Sequence, residues 1–208
     1  KDWLLTNANN FLVLPEGRIG TDFAAAGVGA RFHRGFLQAL DDIWEPLFQA
    51  VEAAQNETER RLWVTGHSLG GALALLAAWR FVRNVMAVHQ VYTFGAPMVC
   101  NAIGTEAYLR ELPGKVFRYV DGPDPVPLLP TISLIANPYT HCQAEVALGT
   151  AAAAGLVGLF PELGPKAVEG LLNATLIDEI WGQVCQRIDA HMIASYLKQI
   201  AERCGGAR

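Results

Sequence analysis

Six consecutive residues carry the most chemistry in this chain: Gly66-His67-Ser68-Leu69-Gly70-Gly71. A serine inside G-x-S-x-G is the form taken by an acyl-transfer nucleophile, because its hydroxyl must project from a sharp turn into open space. Before the turn, Arg61-Leu62-Trp63-Val64-Thr65 reads as a short buried strand. After it, Ala72 to Arg83 reads as a helix that is apolar nearly all round. Gly66 and Gly70 are expected to keep the strained turn free of collisions with strand and helix. The helix start would point its amino end at the place where negative charge develops, which makes the Leu69 N–H an oxyanion donor. The chain has only three serines, Ser68, Ser133 and Ser195, so finding one in this setting is specific.

A serine alone is a weak nucleophile and needs a base, with a carboxylate to orient that base. At a strand–turn–helix site the carboxylate and then the histidine follow the serine in the chain. His33 and His67 precede Ser68, and His89 falls inside a predicted strand ahead of any good acid. His141 and His191 remain, and the residues alone prefer neither. The acid belongs in a loop after the carboxyl end of a strand. Asp121 and Asp124 both satisfy this, and Asp124 lies deeper in the loop, in Asp124-Pro125-Val126-Pro127, where two prolines stiffen the backbone. Cys142 is discounted as a nucleophile, since it and His141 should face opposite ways on an extended segment. His33 reads as a hydrogen-bonded structural histidine.

The elements needed to position these groups are legible around them. Leu37, Leu40, Trp44, Leu47 and Val51 recur at spacings of three and four, which predicts a helix from Gly35 to about Gln55, with Pro46 marking a kink or restart. Strands are expected at Val88 to Phe94 and Lys115 to Val120, with a helix at about Thr105 to Glu111 between them. Strand, helix, strand, helix, strand is the pattern of a parallel sheet with crossover helices. Val168, Leu171, Leu172, Leu176, Ile180, Val184 and Ile188 form one stripe of a further helical stretch, and a last helix covers about Met192 to Cys204.

Composition narrows the class. The chain has 208 residues, 51% hydrophobic and 17% charged, which suits one domain with a sizeable core and argues against disorder. The net charge is −4 and no basic cluster is present, so a nucleic-acid partner is not expected. Four cysteines without CxxC spacing argue against a zinc site, and no metal is expected. The longest uncharged apolar run, Val146 to Phe160, would rise about 22 Å as a helix, short of a roughly 30 Å hydrocarbon core. No transmembrane helix is therefore expected.

In order along the chain, several segments resemble the class 3 lipase family, which includes the filamentous-fungal triacylglycerol lipases. They are Asp2-Trp3-Leu4-Leu5-Thr6-Asn7, His33-Arg34-Gly35-Phe36, the stretch Val64 to Ala74 around the serine, Thr93-Phe94-Gly95-Ala96-Pro97, Asp124-Pro125-Val126-Pro127, and His191 ahead of Ser195-Tyr196-Leu197. The resemblance implies an α/β-hydrolase fold, with a mostly parallel central sheet and helices on both faces, as a single domain over 1–208. It implies Ser68 as nucleophile, Asp124 as acid and His191 as base, with His141 in a supporting role and His67 packed beside the nucleophile. It also implies that early strands, and the loop supplying the second oxyanion donor, fall upstream of Lys1. Gly20-Thr21-Asp22 is a poor substitute for that donor. Residues 1–31 fall where the family has its lid, although Phe11 to Leu14 could equally be a core strand. The run Val146 to Phe160 departs from the family's compact pattern as an insertion would, and is expected to cap the acyl site, to touch a membrane surface or to be an ordinary buried segment.

The expected activity is hydrolysis of carboxylic esters, most of all lipid esters at a lipid–water interface, without metal or organic cofactor. The alternatives are an esterase for aryl or feruloyl esters on the same fold, and a non-catalytic lipid- or partner-binding domain on that scaffold.

Overall fold

Parallel strands, one long amphipathic helix and one helix apolar nearly all round build most of the described core. The computed structural model describes residues 12–13, 17–128, 139–143, 145–149 and 186–205. In chain order the strands are β1 (Leu12–Val13), β2 (Phe32–His33), β3 (Leu62–His67), β4 (Val88–Phe94), β5 (Cys100–Asn101), β6 (Val116–Asp121), β7 (Tyr139–Thr140) and β8 (Glu145–Leu148). The helices are α1 (Gly17–Ala24), α2 (Arg34–Glu57), α3 (Leu69–Arg83), α4 (Ala102–Glu111), α5 (Ile188–His191) and α6 (Ile193–Gly205).

The main sheet has the order β3-β4-β6-β8 with every pairing parallel, as the alternation of strand and helix requires. Alternation within each strand sorts side chains by face. Val91 and Thr93 of β4, with Val116, Arg118 and Val120 of β6, are buried on one face. The helical core of α2, α3 and α4 packs there, around Leu40, Leu75, Leu76, Trp79 and Tyr108. The other face carries a ladder of rings: Trp63 stacks on Tyr92, Tyr92 on Phe117, and Phe94 on Tyr119. Tyr196 of α6 meets Phe94 edge-on at the carboxyl end of that ladder. The described helices thus lie on both faces. A second, antiparallel sheet of order β1-β2-β5-β7 joins the chain's early residues to the loop after β4.

Some sequence expectations change here. Pro46 neither restarts nor ends its helix, since α2 runs unbroken from Arg34 to Glu57. A proline removes one intrahelical bond, and the packing of Phe36, Leu37, Leu40 and Trp44 into the core outweighs that loss. The apolar run beginning at Val146 starts as β8, the fourth strand of the main sheet, and residues 150–160 lie outside the described residues, as does the stripe from Val168 to Val184.

Of the region expected to be lid-like, residues 1–11 also lie outside the described residues. Its described part is β1 and α1, followed by a loop. Phe23, Ala26 and Ala30 are buried in the core, and Asp22 is ion-paired to Arg80 Nε at 2.7 Å. Arg80 also donates to Asp41 at 3.0 Å and lies over the Trp44 ring, so the guanidinium buried in α3 is compensated.

Candidate active site

The turn after β3 is held in a conformation that a side chain rarely adopts. Ser68 has φ 58° and ψ −129°, an arrangement that costs about 1–3 kcal/mol and persists only where the surroundings enforce it. Here the backbone is pinned from both sides. The Ser68 N–H donates to the Phe94 carbonyl at 2.9 Å, and the Ser68 carbonyl accepts from Gly71 and Ala72 N–H groups at 2.9 and 3.2 Å. Gly66 is obligatory, because a Cβ there would collide with the Gly70 carbonyl. Gly70 itself faces open space, contrary to expectation. The tight position is Gly71, whose Cβ would lie 2.7 Å from Ala96 Cβ. The helix starts at Leu69, earlier than its apolar run suggested, so the Leu69 N–H is among the first donors of α3.

Opposite the elbow, α5 ends at His191. Its Nε2 lies 2.7 Å from Ser68 Oγ and its Nδ1 lies 2.9 Å from Asp124 Oδ2. A carboxylate can only accept, so Nδ1 carries the proton and Nε2 is left to accept from the Ser68 hydroxyl. Ser68, Asp124 and His191 are all buried. The structure therefore brings together Ser68, Asp124 and His191, three of the residues singled out from sequence, while the His141 ring lies against the Pro127 carbonyl instead.

Asp124 is fixed by its own loop and by the last helix. Its N–H donates to the Asp121 carbonyl, and its Oδ1 accepts from Val126 N–H at 2.9 Å. Its Oδ2 accepts from Tyr196 OH at 2.6 Å as well as from His191. Tyr196 OH accepts in turn from the Asp121 N–H at 3.2 Å, so the phenol bridges the end of β6 and the carboxylate. Burial, and then the Asp124 charge, push the Tyr196 phenol far above its usual range, so it stays a donor. The sequence alone gives Tyr196 no expected role. The available signal was its spacing: five residues after a histidine at a helix start, a helical side chain leans back over the preceding loop.

His67, expected to pack beside the nucleophile as a supporting residue, donates from Nε2 to the His191 carbonyl at 2.7 Å, and the two rings lie 4.7 Å apart. Burial lowers its pKa, which keeps that ring neutral. His141 donates from Nε2 to the Pro127 carbonyl at 2.6 Å, in the short 3-10 turn Val126–Leu128 that closes the acid loop. Gly95, at φ 58°, is the other hidden requirement. A Cβ there would lie 2.7 Å from Asp124 Oδ2, 2.9 Å from Tyr196 OH and 3.1 Å from His191 Nδ1. His33 caps α2, its Nδ1 accepting from the Phe36 N–H at 3.3 Å.

Asp22, next to Gly20-Thr21, accepts from Trp79 and Arg80. That is about 16 Å along α3 from Leu69, so this segment supplies no donor to the Ser68 site. Among the described residues, no group of three or more His, Cys, Asp or Glu side chains is placed to hold a metal ion. Among them, too, no helix is long and apolar enough to cross a membrane.

Comparison with known proteins adds a family, two relatives and a solved structure. The sequence model of the family described as Lipase (class 3) matches residues 4–134, more than half of the chain. The chain is 37% identical over 118 residues to the secreted mono- and diacylglycerol lipase 1 of Fusarium solani, covering 56% of this chain and 34% of that protein. It is 26% identical over 174 residues to a secreted mono- and diacylglycerol lipase of Malassezia globosa, covering 78% of this chain and 57% of that one. The chain thus spans between about a third and three-fifths of the length of these relatives. Among solved structures, the Lip2 lipase of Yarrowia lipolytica superposes with a TM-score of 0.61 at 24% identity, over 71% of this chain and 54% of that one. That likeness establishes the α/β-hydrolase fold.

Two outcomes follow from the geometry. Replacing Tyr196 by Phe leaves the Asp121 N–H and Asp124 Oδ2 each short of a partner, and the expected loss in a urea unfolding titration is about 1–3 kcal/mol. A change too small to resolve would mean that the phenol is not bonded as described.

The second outcome concerns pH. Burial lowers His33 to about 4 and His141 to about 3, from 6.5. Both stay neutral when folded and protonate when unfolded, so their contribution is complete above pH 6.5 and shrinks as pH falls toward 4. Below pH 6 each should lower stability by up to about 1.4 kcal/mol per pH unit. Unfolding titrations between pH 7 and 5 would measure this slope. His141→Asn should reduce it, and an unchanged slope would contradict the buried, neutral ring.

Proposed function

The chain belongs to the class 3 lipase family, and from that premise we propose that it is a serine carboxylic-ester hydrolase acting on acylglycerols. The observation that carries the reading is the buried hydrogen-bonded series from Ser68 Oγ through His191 to Asp124 Oδ2, at 2.7 and 2.9 Å. A structural serine has no need of a histidine oriented by a carboxylate.

In this mechanism Ser68 Oγ attacks the ester carbonyl while His191 Nε2 takes its proton. The imidazolium that forms lies against Asp124, whose charge stabilises it without taking the proton. The Leu69 N–H, at the positive end of α3, receives the developing oxyanion. His191 then protonates the departing alcohol. Water, deprotonated by the same histidine, releases the fatty acid from Ser68. Tyr196, His67 and His141 act as positioning residues: they hold Asp124, the His191 backbone and the acid loop.

The acylglycerol class is taken from the relatives, which are named mono- and diacylglycerol lipases. A feature beside the site agrees with a lipid surface. Met192, directly after His191, together with Ile193 and Leu197 of α6, is exposed among the described residues. Scattered apolar side chains are ordinary, but Met192 and two residues of the helix that follows it, grouped beside His191, suit an apolar phase.

With the full-length protein, Ser68→Ala should lower kcat on a monoacylglycerol emulsion by on the order of 10⁴-fold or more, and Asp124→Asn by about 10⁴-fold. Circular dichroism would confirm that both variants fold. Turnover near that of the parent in folded Ser68→Ala would overturn the serine mechanism. A parent protein faster on feruloyl than on acylglycerol esters would overturn the substrate class alone.

A further inference from the structure

Two buried thiols lie outside the Ser68 site and have no part in its chemistry. Cys100 is in β5, and Cys142 follows β7, which pairs antiparallel with β5 so that Cys100 stands opposite Thr140. This pairing brings the Cys100 and Cys142 sulfurs to 3.6 Å across 42 positions of chain. Both residues are buried. On its other side the Cys100 sulfur has little freedom. A Cβ at Gly104 would lie 2.9 Å from it, and Thr105 Oγ1 is 3.7 Å away. A disulfide needs its sulfurs about 2.0 Å apart. The β5–β7 pairing keeps the two cysteines adjacent, so the sulfurs have about 1.6 Å to close.

From this juxtaposition we propose that Cys100 and Cys142 form a disulfide by exchange with a low-molecular-weight disulfide, and that the bridge locks the segment carrying Asp124. One thiolate attacks a sulfur of the reagent, forming a mixed disulfide and releasing one reagent thiolate. The second cysteine, as thiolate, attacks the protein sulfur of that mixed disulfide and releases the other. Two protein thiols thus lose two electrons and two protons, and one reagent disulfide becomes two reagent thiols. The ring so closed contains β6, Asp124 and the 3-10 turn, and Cys142 adjoins His141, which holds the Pro127 carbonyl. The cross-link would therefore tie down the loop's anchor without touching the reacting atoms. Burial keeps the Cys142 thiol protonated, so exchange proceeds through local opening and is slower than at the exposed Cys204.

The test uses the full-length protein equilibrated with oxidised glutathione or with excess reduced glutathione. Free thiols are then alkylated under denaturing conditions, and the digest is read by mass spectrometry. The expected result is a peptide linking Cys100 to Cys142 in the oxidised sample alone. Its Tm should exceed that of the reduced sample by roughly 5–15 °C. Cys142→Ala should abolish the rise in Tm, and Cys204→Ser should keep it. Full alkylation of Cys100 and Cys142 after Cys204 has taken up glutathione would overturn the proposal. So would a link to another cysteine in place of this pair, or a bridged protein no more stable than the reduced one.

Discussion

A carboxylate only 1% exposed has to be surrounded by donors, and at Asp124 that requirement organises the carboxyl end of the fold. Removing a charge from water costs several kcal/mol, which is offset only when its lone pairs are met. Val126 N–H meets Oδ1, while Tyr196 OH and His191 Nδ1 meet Oδ2. The three donors come from different parts of the chain: the loop itself, α6 and the end of α5. Docking of α6 against the ring-bearing face of the sheet is thus coupled to the orientation of His191. Gly95 supplies the space that lets all three converge, since a single added carbon there would enter the cluster.

The elbow answers to a different constraint. Ser68 stores backbone strain, and two sets of backbone hydrogen bonds, to β4 and to the first turn of α3, enforce it. The core residues of α3 secure the helix far from the serine, through Leu75, Leu76 and Trp79. Rigidity at the reacting atoms therefore draws on packing a turn or more away. His67 joins the two halves, because it belongs to the strand before the serine and donates to the carbonyl of His191.

What was legible in the sequence is what short segments dictate. Ser68 was visible because a strand, a glycine turn and an apolar helix adjoin it, and the parallel sheet was visible because strands and helices alternate. The choice between Asp121 and Asp124, or between His141 and His191, was open on the residues alone and was made there by family resemblance. In space it depends on the path of α5 and α6 over a distance of 67 positions. Tyr196, Gly95 and the donor role of His67 were hidden for the same reason, each acting on a group remote in sequence. Gly70 differs in the other direction, because the close contact expected there belongs to Gly71, and of the two outcomes expected at Pro46 core packing excludes the restart.

The central claim is that His191, held by Asp124, activates Ser68. A fluorophosphonate, which adds only to an activated serine hydroxyl, tests this most directly when its adduct is mapped in the full-length protein. The expected result is a single adduct on Ser68 that forms rapidly in the parent and is lost in folded His191→Ala. An adduct on Ser133 or Ser195, or labelling of Ser68 at an unchanged rate without His191, would contradict the account.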